Sequence, residues 1–550
     1  MLKQQWEKQI RRFNFLVTIM ALWFSITTIG WAMPVATEQT ERPVLTVEQS
    51  IVVQAFKITG QNLVPESELL APLADKLNKP ATLGDLESYA SLVTRQMKAR
   101  GYMVAMAYIP PQSFQGGEVN IAVLAGNYGK ITVKNTTSIS EQAIRRELGE
   151  VKEGASVNRA TLERAVWFVG DLTGAEAKAI FSVGEKPGTT DLTLNVNPKG
   201  KPTWGYMSVD NGGNRYTGRI EYVGNVNQAN LAKEGDLLTA QFLQTGGGFA
   251  NGNVNYLLPA LGQGQKIGFG WAQSHYLLGD QYAALDAEGI AKTFNLKWQM
   301  ALERTRRHNL YLEARFENKD LVDEVRVANE RYVKNSRNVV FNLYGDSLDD
   351  TWGGGANSYA LTYTTGRLTL KDEVSRVNDS SGAQTAGQFG KWNLSLTRLQ
   401  KLEERLALYG YVFVQGATKN LDSSEHLVLG GPNGVRAYPQ GEAGGDQGWL
   451  GTLELRYNLP VKEHSASGKS AQDTYQLSLF VDGGSVWENH SPFTIGENRR
   501  NLAGMGLGFQ WNRADNFALR LSYAWKLGSE QAISDNDANG RFWWQFYKFF

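Results

Sequence analysis

The residues best suited to chemistry in this 550-residue sequence do not form a catalytic set. Five histidines, His275, His308, His426, His464 and His490, are scattered with no HExxH or other metal-ligand spacing. No GxSxG elbow and no GxxxxGK(S/T) loop occurs. Gly504-Met505-Gly506-Leu507-Gly508 superficially suggests a phosphate loop, but its period-two alternation marks a strand and no helix follows it. The charge that stands out is Arg436, the lone basic residue of LGGPNGVRAYPQGEAGGDQGWLGTLEL, Leu429 to Leu455. A Gly- and Pro-rich stretch of this length is ordinarily a slack surface loop. Here it passes through Gly445-Asp446 and Gly448 straight into an alternating strand, with Leu453, Leu455 and Tyr457 on one face and Glu454 and Arg456 on the other. A guanidinium near the tip of such a loop is suited to bind a carboxylate through two parallel hydrogen bonds. A second candidate charge, Asp482, shares a strand face with Gln476 and Ser478.

The elements that position these residues follow from composition and pattern. The length implies more than one domain, and a net charge of +1 leaves no nucleic-acid footprint. Glycine is abundant (58), proline scarce (15) and aromatics make up 11%, which points to many strands and turns. The absence of cysteine excludes disulfides, Cys-ligated zinc, thiol catalysis and a lipidated N-terminal Cys, and suits a chain that crosses an oxidising periplasm unfolded. Lys3, Lys8, Arg11 and Arg12 precede an apolar run from Phe15 to Ile29, and Gly30-Trp31-Ala32 supplies small residues for cleavage. Residues 1–32 therefore read as a cleaved signal peptide; the alternative, an uncleaved anchor, needs a longer apolar run. No later stretch is long enough for a transmembrane helix, so a membrane-embedded remainder must be a β-barrel.

Residues 33–50 are polar and weakly patterned. From residue 51 the order is β-α-α-β-β. Val53, Phe56 and Ile58 suggest a strand, and Pro65 and Ser67 open a helix through Leu69, Leu70 and Leu73. Thr82 starts a second helix with Leu86, Tyr89, Leu92, Val93 and Met97 on one face. Strands follow at Val104 to Ile109 and Glu118 to Leu124. The order then repeats: a strand at Lys130 to Val133, helices at Ser140 to Leu148 and Thr161 to Phe168, strands at Ala177 to Val183 and Thr190 to Val196. Ala143 stands three residues after Ser140, so no capping box forms there. The two modules occupy 51–127 and 128–198.

Residues 199–550 read as amphipathic strands. Leu310, Leu312, Ala314 and Phe316 alternate with Tyr311, Glu313, Arg315 and Glu317; Leu477, Leu479 and Val481 alternate with Gln476, Ser478, Phe480 and Asp482. Charges on the second face favour an outer-membrane barrel with a polar lumen over a soluble sandwich. At about 20–22 residues per strand plus connection, this segment holds roughly 16 antiparallel strands. The chain ends on an aromatic strand and Phe550, similar to the terminal signal by which bacterial barrels are recognised for insertion. Lys548 interrupts its apolar face and reads as a snorkelling residue.

Signal, two modules and a barrel ending in Phe resemble the two-partner secretion (TpsB) outer-membrane transporters, with wording closest to the haemolysin and adhesin secretion-activation type. The modules resemble POTRA domains. Gly101-Tyr102, Tyr108-Ile109-Pro110-Pro111-Gln112 and Gly117-Glu118-Val119 resemble the family's first POTRA; Asp210-Asn211, Gly218 and Gly235-Asp236 its first barrel hairpin. Val435-Arg436-Ala437-Tyr438 resembles the VRG(F/Y) tip, and Phe480-Val481-Asp482-Gly483-Gly484 the FxxDxG wall motif. Ala437 stands where glycine is usual, so a positive φ is not expected there.

The resemblance implies a Gram-negative outer-membrane pore that catches an unfolded partner, a large β-helical exoprotein, with periplasmic POTRA modules and exports it without ATP. It implies that a loop at about 429–449 folds back into the barrel and is latched there. Val435, Arg436, Ala437, Tyr438, Asp446 and Gly448 would lie on the loop, and Phe480, Asp482 and Gly484 on the wall, with Arg436 meeting Asp482. Tyr102, Tyr108, Pro110, Pro111, Gln112 and Phe114 are candidate client contacts, with client segments added to a sheet edge; in so small a module such aromatics can equally be core. Phe550 would address the chain to the barrel-assembly machinery and lipids would surround the barrel. No cofactor, metal, nucleotide, nucleic acid or catalytic residue is expected. The 18 residues between Ala32 and Ile51 span at most ~60 Å extended, so a plug helix is expected to be absent or vestigial. A POTRA-barrel insertase is the main alternative; a plain porin would lack the modules, and an outer-membrane hydrolase would have to assemble its site from distant loops. Adhesin, cytolysin and contact-dependent toxin all remain open as clients, as do pore size, open state and oligomeric state.

Overall fold

The computed structural model describes residues 50–61, 63–460 and 473–550. The signal peptide, nearly all of the 33–50 segment, the plug-helix expectation and His464 lie outside the described residues.

The first module is a three-stranded sheet. Central strand Glu118–Leu124 runs parallel to Ala55–Thr59 and antiparallel to Met106–Tyr108. Helix Leu83–Ala99 packs on it because Leu86, Ala90, Val93 and Met97 recur every three or four residues and are all buried. Its start is fixed by a capping box: Thr82 accepts from the Asp85 amide and Asp85 accepts from the Thr82 amide. The first helix covers only Glu66–Leu70 and tightens into a 3-10 turn over Ala71–Lys76, where Pro72 sets the first turn. The second module repeats the plan, with Asn127–Asn135 parallel and Ala175–Val183 antiparallel to central Thr189–Pro198, over helices Glu141–Leu148 and Arg159–Gly170. Ser140 caps alone, through a 3.1 Å bond from Ala143 N.

Sixteen antiparallel strands close the barrel, from Thr203–Asp210 to Gly540–Phe549. The alternation read from sequence holds. Leu477, Leu479 and Val481 are 45–56% exposed on the outer wall, while Phe480 and Asp482 between them are 2% and 0% exposed. The second module docks on turns at one end of the barrel. Arg304 grips Asp171 with two bonds of 2.8 and 2.9 Å and lies over the Trp167 ring at 4.7 Å. Arg146 bonds Glu234 at 2.6 Å, and buried Glu147 accepts from Gly264 N at 2.8 Å. Burial pushes the Glu147 carboxyl up. Gly264 must be glycine because a Cβ there would fall 2.5 Å from the Phe168 ring. No helix among the described residues is long and apolar enough to cross a membrane.

The long loop departs from the expected bounds. The preceding strand ends at Ala417 and the next begins at Gln447, so the loop spans 418–446 and carries eleven more residues on its first arm than the glycine pattern marked. Gly448 belongs to the strand, where it is needed for close approach: a Cβ would meet Ser485 O at 2.3 Å.

Candidate functional site

The long loop turns inward from the end opposite the modules and packs its tip on the inner wall. Leu429, Val435, Ala437 and Tyr438 are all fully buried, against Leu450, Phe480, Val486 and Leu502 of the wall. The tip is held in shape by Val435 N donating to Leu429 O at 2.7 Å and by a short antiparallel pair, Leu427–Val428 with Gly444–Gly445. Glycines on the wall make the fit possible. A Cβ at Gly504 would lie 2.6 Å from the Ala437 Cβ, and one at Gly484 2.8 Å from Leu429 Cδ2. Ala437 takes no positive φ, as its side chain requires.

At the tip Arg436 meets Asp482 as the resemblance implies. Nε and Nη2 donate to the two carboxylate oxygens at 2.8 and 2.9 Å, and the Arg436 backbone N–H adds a third bond at 3.1 Å. Thr452 Oγ donates to the same carboxylate at 3.0 Å. The guanidinium carbon sits 3.2 Å from the centre of the Phe480 ring, so one face is stacked while the edge is bonded. Glu454 lies 3.5 Å from Nη1 and bonds in turn to Arg456 at 3.0 Å. Trp543 Nε1 donates to Arg436 O at 2.6 Å, tying the tip to the last strand as well.

Two further anchors were not visible in the loop motif. On the first arm, buried Glu425 accepts from Lys319 and Lys391, both at 2.6 Å, and Asp422 accepts from Lys334 at 3.0 Å. Burial alone would raise the Glu425 carboxyl; the two ammoniums hold it below its ordinary value. On the second arm, fully buried Glu442 bonds Arg500 at 2.5 Å and accepts from Ile533 N, Ser534 N and Ser534 Oγ of the last outer loop. Tyr438 donates to Glu530 O at 3.0 Å beside it. Asp446 closes the base: it accepts from Leu421 N at 2.9 Å, from His490 N at 2.7 Å and from His426 Nε2 at 3.0 Å. Burial opposes the charged imidazole of His426, but Asp446 outweighs it and raises the His426 pKa. The signal that could have revealed the first arm was the lumen-phase Lys319, in step with Glu313, Arg315 and Glu317.

The remaining candidates lie far from the loop. In the first module Tyr108 is 40% exposed on the edge strand, whereas Tyr102 and Phe114 pack partly buried against the core. Pro110 is half-buried and Pro111 exposed. The Gln112 amide is occupied within the fold: it donates to Asn120 O at 2.8 Å and accepts from Asn120 N at 2.7 Å. Phe550 exchanges two backbone bonds with Gly205 where the barrel closes. Among the described residues no group of three His, Cys, Asp or Glu side chains could hold a metal ion.

Comparison with known proteins adds the following. The family model "Haemolysin secretion/activation protein ShlB/FhaC/HecB" matches residues 188–511. A ShlB-type POTRA domain matches 51–126, and a second POTRA model, described as a surface antigen variable number repeat, matches 127–199. The chain is 27% identical over 506 residues to the heme/hemopexin transporter protein HuxB of Haemophilus influenzae, covering 90% of this chain and 86% of that one. It is 21% identical over 420 residues to the outer membrane transporter CdiB of Dickeya dadantii, covering 74% and 73%. The solved structure of CdiB from Escherichia coli superimposes with a TM-score of 0.74 at 17% identity, over 99% of this chain and 97% of that one. BamA from Haemophilus ducreyi, lacking POTRA domains 1–3, gives 0.52 at 15% identity, over 91% and 100%.

Proposed function

The chain belongs to the haemolysin secretion/activation family (ShlB/FhaC/HecB) of two-partner secretion transporters, and from that premise we propose a mechanism in which the Arg436 latch holds the long loop across the pore until a client displaces it. The protein is an outer-membrane transporter with periplasmic POTRA modules, and it exports a secreted partner protein. An unfolded client segment pairs with a POTRA strand edge. Strand Ala175–Val183 supports this role, since it is an edge of its sheet and leaves Ile180, Phe181 and Val183 exposed. The client then enters the lumen from the module end and the loop withdraws toward the outer surface. The client, a β-helical exoprotein, leaves extended and its folding outside draws the rest of the chain through. Insertion of the barrel itself uses the assembly machinery through the Phe550 terminus, with lipids around the outer wall. The pore needs no catalytic chemistry, and a purified preparation should show no hydrolysis of peptide or ester substrates.

The observation that carries this reading is the three-bond contact of Arg436 with a carboxylate that is itself fully buried. Removing Arg436 leaves the fully buried Asp482 charge without its counter-ion, which costs about 3–5 kcal/mol of loop docking, and removing Asp482 leaves Arg436 only the longer Glu454 contact at 3.5 Å. The test is secretion of the chain's partner exoprotein by Arg436→Ala and Asp482→Ala variants. The partner should accumulate in the periplasm while the barrel keeps its heat-modifiable gel mobility; normal secretion by both variants would falsify the latch. An insertase role is the weaker reading, and normal outer-membrane assembly in a deletion strain, with the partner alone trapped, separates the two.

A further inference from the structure

The barrel closes on a short seam. First strand Thr203–Asp210 and last strand Gly540–Phe549 pair over five residues, 206–210 with 545–549, whereas the longest pair of neighbours runs to eighteen. Past Asp210 a side chain takes over: Asn211 Nδ2 donates to Phe542 O at 2.8 Å and Oδ1 accepts from Trp544 N at 2.8 Å. Outward of that splice the wall holds a cavity of about 410 Å3, between the first outer loop, the last outer loop, the start of the last strand and Pro439–Gln440 of the long loop.

The charged lining is unbalanced. Arg215, Arg219 and Arg541 face it with Asp535. Asp535 accepts from Arg219 Nη2 at 2.8 Å and Arg541 Nη1 at 3.2 Å, and Arg215 stands 4.0 Å away. Arg215 also pairs with Asp280. Three guanidiniums against two carboxylates leave one positive charge over. It falls on Arg541, whose Nη2 reaches Asn536 O at 2.6 Å but whose buried Nε has no hydrogen-bond partner. The Nε is closed off from the cavity, so an anionic oxygen there would meet the surplus charge through the guanidinium Nη groups.

The surroundings tell where the anion comes from. Trp543, 8% exposed and bonded to Arg436 O, stands on the lumen side of the last strand. On the opposite side Phe542, 50% exposed on the outer wall, borders the cavity. The cavity lies at the barrel end remote from the modules, the end that faces outward when the modules are periplasmic. We propose that it is a binding site for the phosphate group of an outer-leaflet lipid, with the phosphate oxygens on Arg541 and the acyl chains against Phe542. On the lumen side Trp543 and Pro439–Gln440 of the docked loop border the cavity and stand between it and a client, which favours a lipid over an acidic protein segment.

The experiment uses the full-length protein in phosphatidylcholine nanodiscs doped with lipid A, a phosphorylated glycolipid, or with its dephosphorylated form. Retained lipid is counted by native mass spectrometry. Wild type should hold the phosphorylated form about tenfold more strongly. Arg541→Gln should lose that preference while the barrel keeps its heat-modifiable mobility. Ile220→Glu, which leaves Arg541 in place and adds a like charge to the cavity wall, should lose it too. Equal retention of the two lipids, or an undiminished preference in both variants, overturns the site. Displacement of the lipid by excess inorganic phosphate assigns it to a free anion instead, and displacement by an acidic peptide assigns it to protein; either overturns the lipid reading.

Discussion

Arg436 performs three functions that a lysine could not combine. It offers two in-plane N–H groups to Asp482, stacks flat on Phe480, and adds its own backbone N–H to the same carboxylate. Arg436→Lys should therefore lose export nearly as completely as Arg436→Ala, measured as partner in the medium; near-normal export by the lysine variant would show that charge alone suffices. Glu425 gives a separate expectation. Glu425→Gln keeps the volume but removes the counter-charge of Lys319 and Lys391, so the first arm should loosen while the tip stays latched. In planar bilayers this should appear as about tenfold more frequent brief openings, for a loss of roughly 1.4 kcal/mol. His426 gives an expected pH response. Its folded pKa is raised, so its contact with Asp446 is fully present below the ordinary histidine pKa and is lost as pH rises through the folded value. Channel noise should grow from mildly acidic to alkaline pH, and His426→Ala should flatten that trend.

As an element, the loop is braced at three points. Its first arm is held by lysines of the wall, its tip by Asp482, and its second arm by Arg500 and the last outer loop. The fit at the tip depends as much on shape as on charge. Gly504→Leu would drive a side chain into Ala437, displace the tip and leave Arg436 and Asp482 untouched in sequence. It should raise conductance by freeing the tip, and unchanged conductance would limit the latch to its ion pair. The modules obey local rules more closely. Thr82→Ala removes the capping box of Leu83–Ala99 and should cost the first module about 1 kcal/mol, read by urea unfolding followed at that module.

At the scale of the whole molecule, the gating proposed above requires the loop to leave a barrel whose wall stays closed. The cysteine-free chain allows a direct test. Leu429→Cys with Gly484→Cys places two thiols across the loop–wall contact, where Leu429 Cδ2 now meets the position of a Gly484 Cβ at 2.8 Å. Oxidation should stop export and reduction restore it; export by the oxidised form would mean that the loop need not move. The sequence by itself determined what periodicity and local chemistry can encode. The three- and four-residue spacing of Leu86, Tyr89, Leu92, Val93 and Met97 marked a helix, and the period of two in Leu477, Leu479 and Val481 marked a wall strand and its lumen face; which helix residues are fully buried, Ala90 rather than Tyr89 and Leu92, came only with packing. It also bore the motif pair Arg436 and Asp482, although residues 46 apart were joined only through the family resemblance. The tertiary structure alone decided the rest. The loop's true start at 418 was hidden because Asp422, Glu425 and His426 look like any polar turn until Lys334, Lys319 and Asp446 are brought to them. The half-buried setting of Tyr102 and Phe114, and the convergence of Arg215, Arg219 and Arg541 on Asp535, were hidden for the same reason. Such contacts join residues tens to hundreds of positions apart, and closure of a barrel, which no local pattern records, sets which of them meet.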